Sequence, residues 1–410
     1  MISNQNVSLD TLGSGLKCVV CHSPASAVDY FGVVVNAGSR DDYPGADGLA
    51  HFVEHTIFKG TGRRRSWHIL NRMESVGGEL NAFTSKESTT IYTVAPAGNL
   101  LRSADLIADL VTDSRFPESE LDKERDVVGD EISSYRDIPS EAVYDDFEDL
   151  LFAGTPLGHN ILGDTRSLRG FDSDLCRRYL RDFYTAPNMV VFYSGPADPC
   201  RVRRTVERCF AGLPCHEAPA RAVLPSVLPS FNEKRELSIH QSHTLTGCRV
   251  PDLYDPRRFA LSLLVNILGG PGMNSLLNIA LREKSGLVYS VEASTTLMTD
   301  TGVFSVYYGC DHHDSRRCQR LVSGIIGSLV DKPLTDRRFA QAVRQYLGQL
   351  AVASDNRENT ILSMAKAALY RGRLQPREAL AARIRELTPS DLQEAARLIA
   401  PGTLSSLTFC

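Results

Sequence analysis

The sequence predicts an α+β protein of two homologous domains, each a mainly antiparallel sheet with helices packed on one face. Three observations predict it. Short apolar strands joined by short links are mixed with helix pairs, the pattern of sheets with helices segregated to one side. The second half of the chain repeats the order of elements of the first, the helix at 258–270 matching that at 48–60 at a shift of 210 positions. Between them, the stretch 213–229 is rich in proline and lacks any periodicity, so it reads as a linker. The expected division is 1–213 for the first domain, 214–231 for the linker and 232–410 for the second domain.

The elements follow in order. Residues 16–21 read as an apolar strand. It contains Cys18-Val19-Val20-Cys21-His22, which matches the C-x-x-C-H haem-attachment pattern. Haem attachment requires export and no export signal is visible, so the strand reading prevails. Residues 48–60 form a helix that ends at Gly60, and 69–83 a helix, a glycine stop and a strand. A strand at 89–94 and long helices at 100–113 and 118–135 complete the half. The second half offers a helix at 258–270, a helix and strand at 276–291, a strand at 302–308, and helices at 316–329 and 336–350. The 210-residue shift pairs Ala50 with Ala260, Ile57 with Ile267 and Gly60 with Gly270.

Composition narrows the function. The 410 residues are too many for one core. A net charge of −4 gives no support for a nucleic-acid partner. No apolar run approaches the ~20 residues that cross a bilayer, so no membrane association is expected. The first residues, Met1-Ile2-Ser3-Asn4-Gln5-Asn6, lack the basic start and apolar core of a secretory signal. The ten scattered cysteines then read as reduced thiols of a cytoplasmic protein.

His51-Phe52-Val53-Glu54-His55 carries the chemistry. Two histidines four apart stack on one helix face and can grip one metal ion. Glu54, three after His51, can reach a water on that metal. This H-x-x-E-H order inverts the commoner zinc-protease motif. The same shift of 210 sets Leu261, Leu264 and Val265 opposite His51, Glu54 and His55, so a helix of this kind that only packs carries apolar residues there. A catalytic zinc takes three protein ligands. The third is sought in the helix 118–132, where Glu124 and Glu131 lie two turns apart on the face of Leu121, Val128 and Ile132. Spacing alone leaves two readings even: core-facing carboxylates that are paired or bound to a cation, or a solvated acidic helix. Asp311-His312-His313-Asp314 also looks like a ligand cluster and reads as a solvated loop.

Five segments in order extend the motif: Gly-Leu-Ala-His-Phe-Val-Glu-His at 48–55, Leu-Asn-Ala-Phe-Thr-Ser at 80–85, Glu-Arg-Asp-Val-Val-Gly-Asp-Glu-Ile at 124–132, Pro-Leu-Gly-His-Asn-Ile-Leu-Gly at 156–163 and Leu-Arg-Glu-Lys-Ser-Gly-Leu-Val-Tyr-Ser-Val at 281–291. With them the chain resembles the pitrilysin/insulinase family of inverted-motif zinc metallopeptidases, in its half-length, mitochondrial-processing-peptidase-like branch. The resemblance implies one Zn2+ per chain on His51, His55 and Glu131, with Glu54 as general base. It implies that Glu124 orients a ligand, that Asn81 and Ala82 sit on an edge strand that pairs with peptide backbone, and that Arg282 and Tyr289 stabilise the substrate carbonyl. The implied activity is endopeptidase cleavage of extended or unfolded polypeptides, leader processing and peptide clearance both being open. Because one chain carries both the zinc motif and the Arg–Tyr pair, a homodimer is expected, with Arg282 and Tyr289 acting in trans. The alternatives are a heterodimer and a non-catalytic scaffold or partner subunit.

Overall fold

In chain order, the computed structural model contains β1 (Val7–Thr11), β2 (Lys17–His22), β3 (Val28–Val35), α1 (Leu49–Thr56), α2 (Ser66–Glu74), β4 (Glu79–Thr84), β5 (Thr89–Pro96), α3 (Leu100–Asp113), α4 (Glu118–Arg136), α5 (Pro139–Leu151), α6 (Thr165–Leu168), α7 (Ser173–Phe183), β6 (Met189–Gly195) and α8 (Pro199–Cys209). There follow β7 (Asn232–Arg235), β8 (Ser242–Val250), α9 (Arg258–Gly269), β9 (Val288–Leu297), β10 (Gly302–Cys310), α10 (Ser315–Asp331), α11 (Asp336–Ala353), α12 (Arg357–Arg371), α13 (Arg377–Arg385), α14 (Pro389–Leu398) and β11 (Ser405–Phe409). The structure describes residues 7–226 and 229–410.

The chain forms two compact units. The first comprises residues up to 133, 160–222 and 354–376, and the second 134–159, 223–353 and 377–410. The chain passes between them at 133/134, 159/160, 222/223, 353/354 and 376/377. Each unit holds one mainly antiparallel sheet, as expected. In the first the strand order is β1-β2-β6-β3-β5-β4, with β2 and β6 parallel. In the second it is β7-β11-β8-β10-β9, with β11 and β7 parallel.

Two features depart from the expected contiguous halves with helices on one face. The first sheet packs one face on α1, α2, α3, α7 and α8, through residues such as Phe31, Val33 and Val191. Its other face presents Val19, Cys21, Val34, Tyr92, Val190 and Phe192, and it is covered by Ile361, Ala365 and Ala368 of α12. Those three lie at positions i, i+4 and i+7, one helix stripe. The second sheet likewise packs Phe304, Val306 and Tyr308 on α9, α10 and α14. Its other face meets Val143, Phe147 and Leu151 of α5. Each sheet is therefore buried on both faces, and its second cover comes from the other half of the sequence. The physical reason is in the strands: runs such as Val33-Val34-Val35 are buried continuously rather than alternately, so both faces need cover.

Cys18 and Cys21 lie on opposite faces of the sheet, one in each apolar cluster, so they cannot hold one haem edge. The repeat is real in three dimensions. α1 packs against β4 and α9 against β9, the edge strand of each sheet, and Leu261, Leu264 and Val265 are buried. Among the described residues no helix is long and apolar enough to cross a membrane.

Candidate metal centre

α1 has eight residues, too few to be stable alone. Burial of Leu49, Phe52 and Val53 holds it, at roughly 1.5–3 kcal/mol for each side chain. Its N-terminus is fixed by backbone. Gly48 adopts φ +93°, and a Cβ there would lie 2.5 Å from the Leu162 carbonyl oxygen. The opposing Gly163, at φ +70°, would collide with Asp47 in the same way. The glycines that begin one sequence segment and end another thus let two stretches of the backbone touch. Gly48 has no side chain with which to cap the helix. Asp42 does so instead, its two carboxylate oxygens accepting the Gly48 and Ala50 N–H groups at 2.7 Å each.

One turn of α1 aims both histidines at α4. The His51 and His55 ring centroids are 4.5 Å apart. Glu131 Oε2 lies 3.8 Å from His51 Nε2 and 3.4 Å from His55 Nε2. Donor atoms of the three residues all fall within 4.8 Å of one another. Ligands at ~2.0–2.2 Å around a tetrahedral zinc stand roughly 3.3–3.6 Å apart, close to the separations of Glu131 Oε2 from the two imidazole nitrogens. His51 Nδ1 is buried and has no hydrogen-bond partner among the described residues, and Glu131 is partly exposed. The donor set of two imidazoles and one carboxylate fits zinc.

The seven-residue spacing of α4 places a carboxylate on each side of the His55 ring. Glu124 Oε1 is 3.0 Å from Nδ1. A carboxylate only accepts, so Nδ1 carries a proton, and Nε2, on the Glu131 side, is the nitrogen that would hold a metal. Glu124 is buried and is held in turn by Lys59 Nζ at 2.5 Å. Both sequence readings of the acidic helix are thus partly met: Glu124 faces the core beside Leu121, Val128 and Ile132, while Asp122 and Lys123 are solvated.

Burial, with a smaller contribution from His55, lowers the His51 pKa to about 3, so this imidazole stays neutral. Burial acts downward on His55 as well, but the Glu124 hydrogen bond and the charges of Glu54, Glu131 and Glu124 together raise it. Burial raises Glu54, opposed by the Thr84 hydrogen bond and by His55 and aided by Glu131. Burial also works against the Glu124 carboxylate, yet hydrogen bonds from His55 and Lys59 hold it below its usual value.

Glu54 receives a hydrogen bond from Thr84 Oγ1 at 3.0 Å. Thr84 is the last residue of β4, whose other edge has no partner strand among the described residues. Asn81 and Ala82 lie mid-strand, paired with Tyr92 and Ile91 of β5. In the second unit, Arg282 belongs to a π-helical turn, Asn278–Glu283, and its guanidinium stands 5.6 Å from the centre of the Tyr289 ring. Tyr289 is 83% exposed on the edge strand β9. The structure therefore brings His51, Glu54, His55, Glu124 and Glu131 together in one unit, and Arg282 with Tyr289 in the other. Asp311, His313 and Asp314 also bring donor atoms within 4.8 Å, on a largely exposed turn where water suffices for their charges. Sequence reasoning missed Lys59, Thr84 and Asp42. Lys59 lies beyond the end of α1 at Thr56, where helix spacing gives no signal, and Asp42 gave none either.

Residues 17–165 match the family model described as insulinase (peptidase family M16), and 171–346 match the peptidase M16 inactive domain. A protein of Streptomyces coelicolor named "Uncharacterized zinc protease" is 32% identical over 94% of this chain and 86% of its own length. The chain belongs to peptidase family M16. A Bacillus subtilis member, also named an uncharacterized zinc protease, is 29% identical over 88% of each chain. Among solved structures, an M16 inactive domain from Pseudomonas fluorescens superposes with a TM-score of 0.92 at 19% identity, covering 98% of this chain and 97% of that one. A protease from Helicobacter pylori gives 0.90 at 20% identity, covering 98% and 99%. These two share the fold. The M16 match that names insulinase spans His51, His55, Glu124 and Glu131, and the one named inactive spans Arg282 and Tyr289.

Proposed function

We propose that this M16 chain is a zinc-dependent endopeptidase that cleaves extended or unfolded peptides. The observation that carries the reading is the convergence of His51, His55 and Glu131 donor atoms within 4.8 Å, with Glu124 behind His55 and Glu54 on the same helix. A zinc ion held there would polarise the scissile carbonyl and lower the pKa of a water toward ~7.

The chain's own residues do the rest. Glu54, with its pKa raised by burial, accepts the proton of the attacking water and returns it to the leaving amine. Thr84 keeps the Glu54 carboxylate turned toward the site. The free edge of β4 at Asn81 and Ala82 takes up an extended segment as an added strand, which reads backbone more than side chain. Arg282 and Tyr289 supply positive charge and a hydroxyl donor to the oxygen that becomes negative under attack. They do so from a second copy of the chain in a homodimer.

The test is Glu54→Gln beside wild type, with zinc content and cleavage of a mixed pool of unstructured peptides measured together. Equal zinc with cleavage lost by about 10²–10⁴-fold is expected. Equal zinc with no cleavage in either chain would favour the partner-subunit reading. For the trans arrangement, Arg282→Ala and Glu54→Gln chains are mixed. Recovered cleavage supports it, and a mixture as inactive as its parents excludes it.

A further inference from the structure

We propose that Arg221, in the proline-rich segment that joins the two halves of the sequence, is a positioning residue for the metal helix and for the strand beside it. The inference rests on the peptidase reading only where catalytic rates are concerned. Arg221 spends its guanidinium on three pieces of chain at once. Nε and Nη2 donate to the two carboxylate oxygens of Asp41, at 2.8 Å each. Nη2 also donates to the backbone carbonyls of Glu87, at 2.8 Å, and Asn36, at 3.3 Å. Nη1 donates to Glu87 Oε1 at 3.3 Å. The acceptors are deeply buried: the side chains of Asp41 and Glu87 are 4% and 6% exposed.

Two of these pieces, those of Asp41 and Glu87, lead directly to the site. Asp41 precedes Asp42, whose carboxylate holds the first N–H groups of α1, next to His51. Asp41 also accepts the Gly38 N–H at 3.0 Å, which closes the turn that aims Asp42. Glu87 lies in the turn between β4 and β5, three residues beyond Thr84, the residue that orients Glu54. Arg40 repeats the tie in reverse, donating to Glu87 Oε1 at 2.6 Å and to the Ala222 carbonyl at 3.4 Å. The planar fork of Arg221 thus sets the start of α1 against the end of β4. A lysine supplies the charge without the fork. Sub-ångström misplacement of such groups is costly to ligand geometry and to proton transfer alike.

Arg221→Ala, Arg221→Lys and Asp41→Asn are compared with wild type, and with Arg203→Ala, which removes an arginine from an exposed ion pair with Glu207. Zinc affinity is read by competition with a chromogenic chelator, and kcat and KM on an unstructured peptide. Expected for Arg221→Ala is zinc binding weakened about tenfold and kcat lowered about 10- to 100-fold, with KM within about twofold. Arg221→Lys falls between it and wild type, and Arg203→Ala matches wild type. The Arg221→Ala/Asp41→Asn double variant is no worse than the poorer single one, because both break the same contact. If Arg221→Ala does not fold, the lysine and Asp41→Asn variants are read in the same way. Folded variants with a lower melting temperature but wild-type zinc affinity and kcat would overturn the proposal and leave Arg221 a stabilising strap. A wild type that binds zinc and cleaves nothing would instead sink the peptidase reading, while the zinc affinities still test Arg221.

Discussion

Removing Glu124 tests how far the centre depends on a residue that touches no metal. Its carboxylate fixes the proton on His55 Nδ1 at 3.0 Å and is itself held by Lys59 at 2.5 Å. A hydrogen bond to a charged group is worth about 1.5–3 kcal/mol and a neutral one about 0.5–1.5. Glu124→Gln keeps an acceptor for Nδ1 and loses the charge, so about 1 kcal/mol, or roughly fivefold in zinc affinity, is expected to go. Glu124→Ala loses the acceptor too and leaves Lys59 half-buried without its partner. About 1.5–3 kcal/mol then corresponds to a zinc affinity reduced roughly 10- to 100-fold. The assay is competition against a chromogenic chelator at fixed pH, with the melting temperature of the zinc-free chain measured in parallel. The order wild type, Gln, Ala is the expected result. An alanine variant that binds zinc as tightly as wild type, with an unchanged melting temperature, would show that Glu124 neither sets the tautomer nor orients the ring.

Two further outcomes are expected. Ile361→Ala opens a cavity under the first sheet and should cost about 2–5 kcal/mol, read by urea denaturation followed by circular dichroism; a loss below about 0.5 kcal/mol would mean that α12 is not part of that core. Burial pushes the Cys18 and Cys176 thiols up to about 12 and Cys248 to about 11. A raised value means less thiolate, so at pH 8.5 well under about one part in a hundred of each is reactive, and these sites are also shielded. A brief iodoacetamide pulse should mark the exposed Cys200 and Cys215 and spare those three until the chain is unfolded, as read by mass spectrometry.

What the sequence made legible is what is periodic and local. Helix 100–113 was read at the bounds it has, and the i, i+4 spacing alone paired His51 with His55. The role of Glu124 was open because a helix position says which face a carboxylate shares, and not what packs on that face. Only the neighbouring α1, bringing His55 and Lys59, decides it. α12 and α5 were illegible as sheet covers for a different reason. The contact stripe of α12 is made partly of alanines, which mark no strong apolar face, and its partner strands lie more than 150 residues away in the chain. The continuous burial of β2, β3 and β6 was the available clue, since strands apolar on both sides demand two covers. Arg221 gave no signal at all, because a lone arginine in a proline-rich stretch looks the same solvated or buried.

The crossed covering of the sheets has a consequence for synthesis. β6 completes the first sheet at Gly195, but α12, which closes its second face, ends at Arg371, 176 residues later. At 5–20 residues per second the ribosome takes roughly 9–35 s to make that interval. For that time Val19, Cys21, Val34, Val190 and Phe192 form an apolar surface with nothing of their own chain yet made to lie on it. Collapse and helix formation are faster by several orders of magnitude. The nascent first unit therefore waits with a sticky face, and a chaperone that engages extended apolar surface has a defined target and a defined interval in which to hold it.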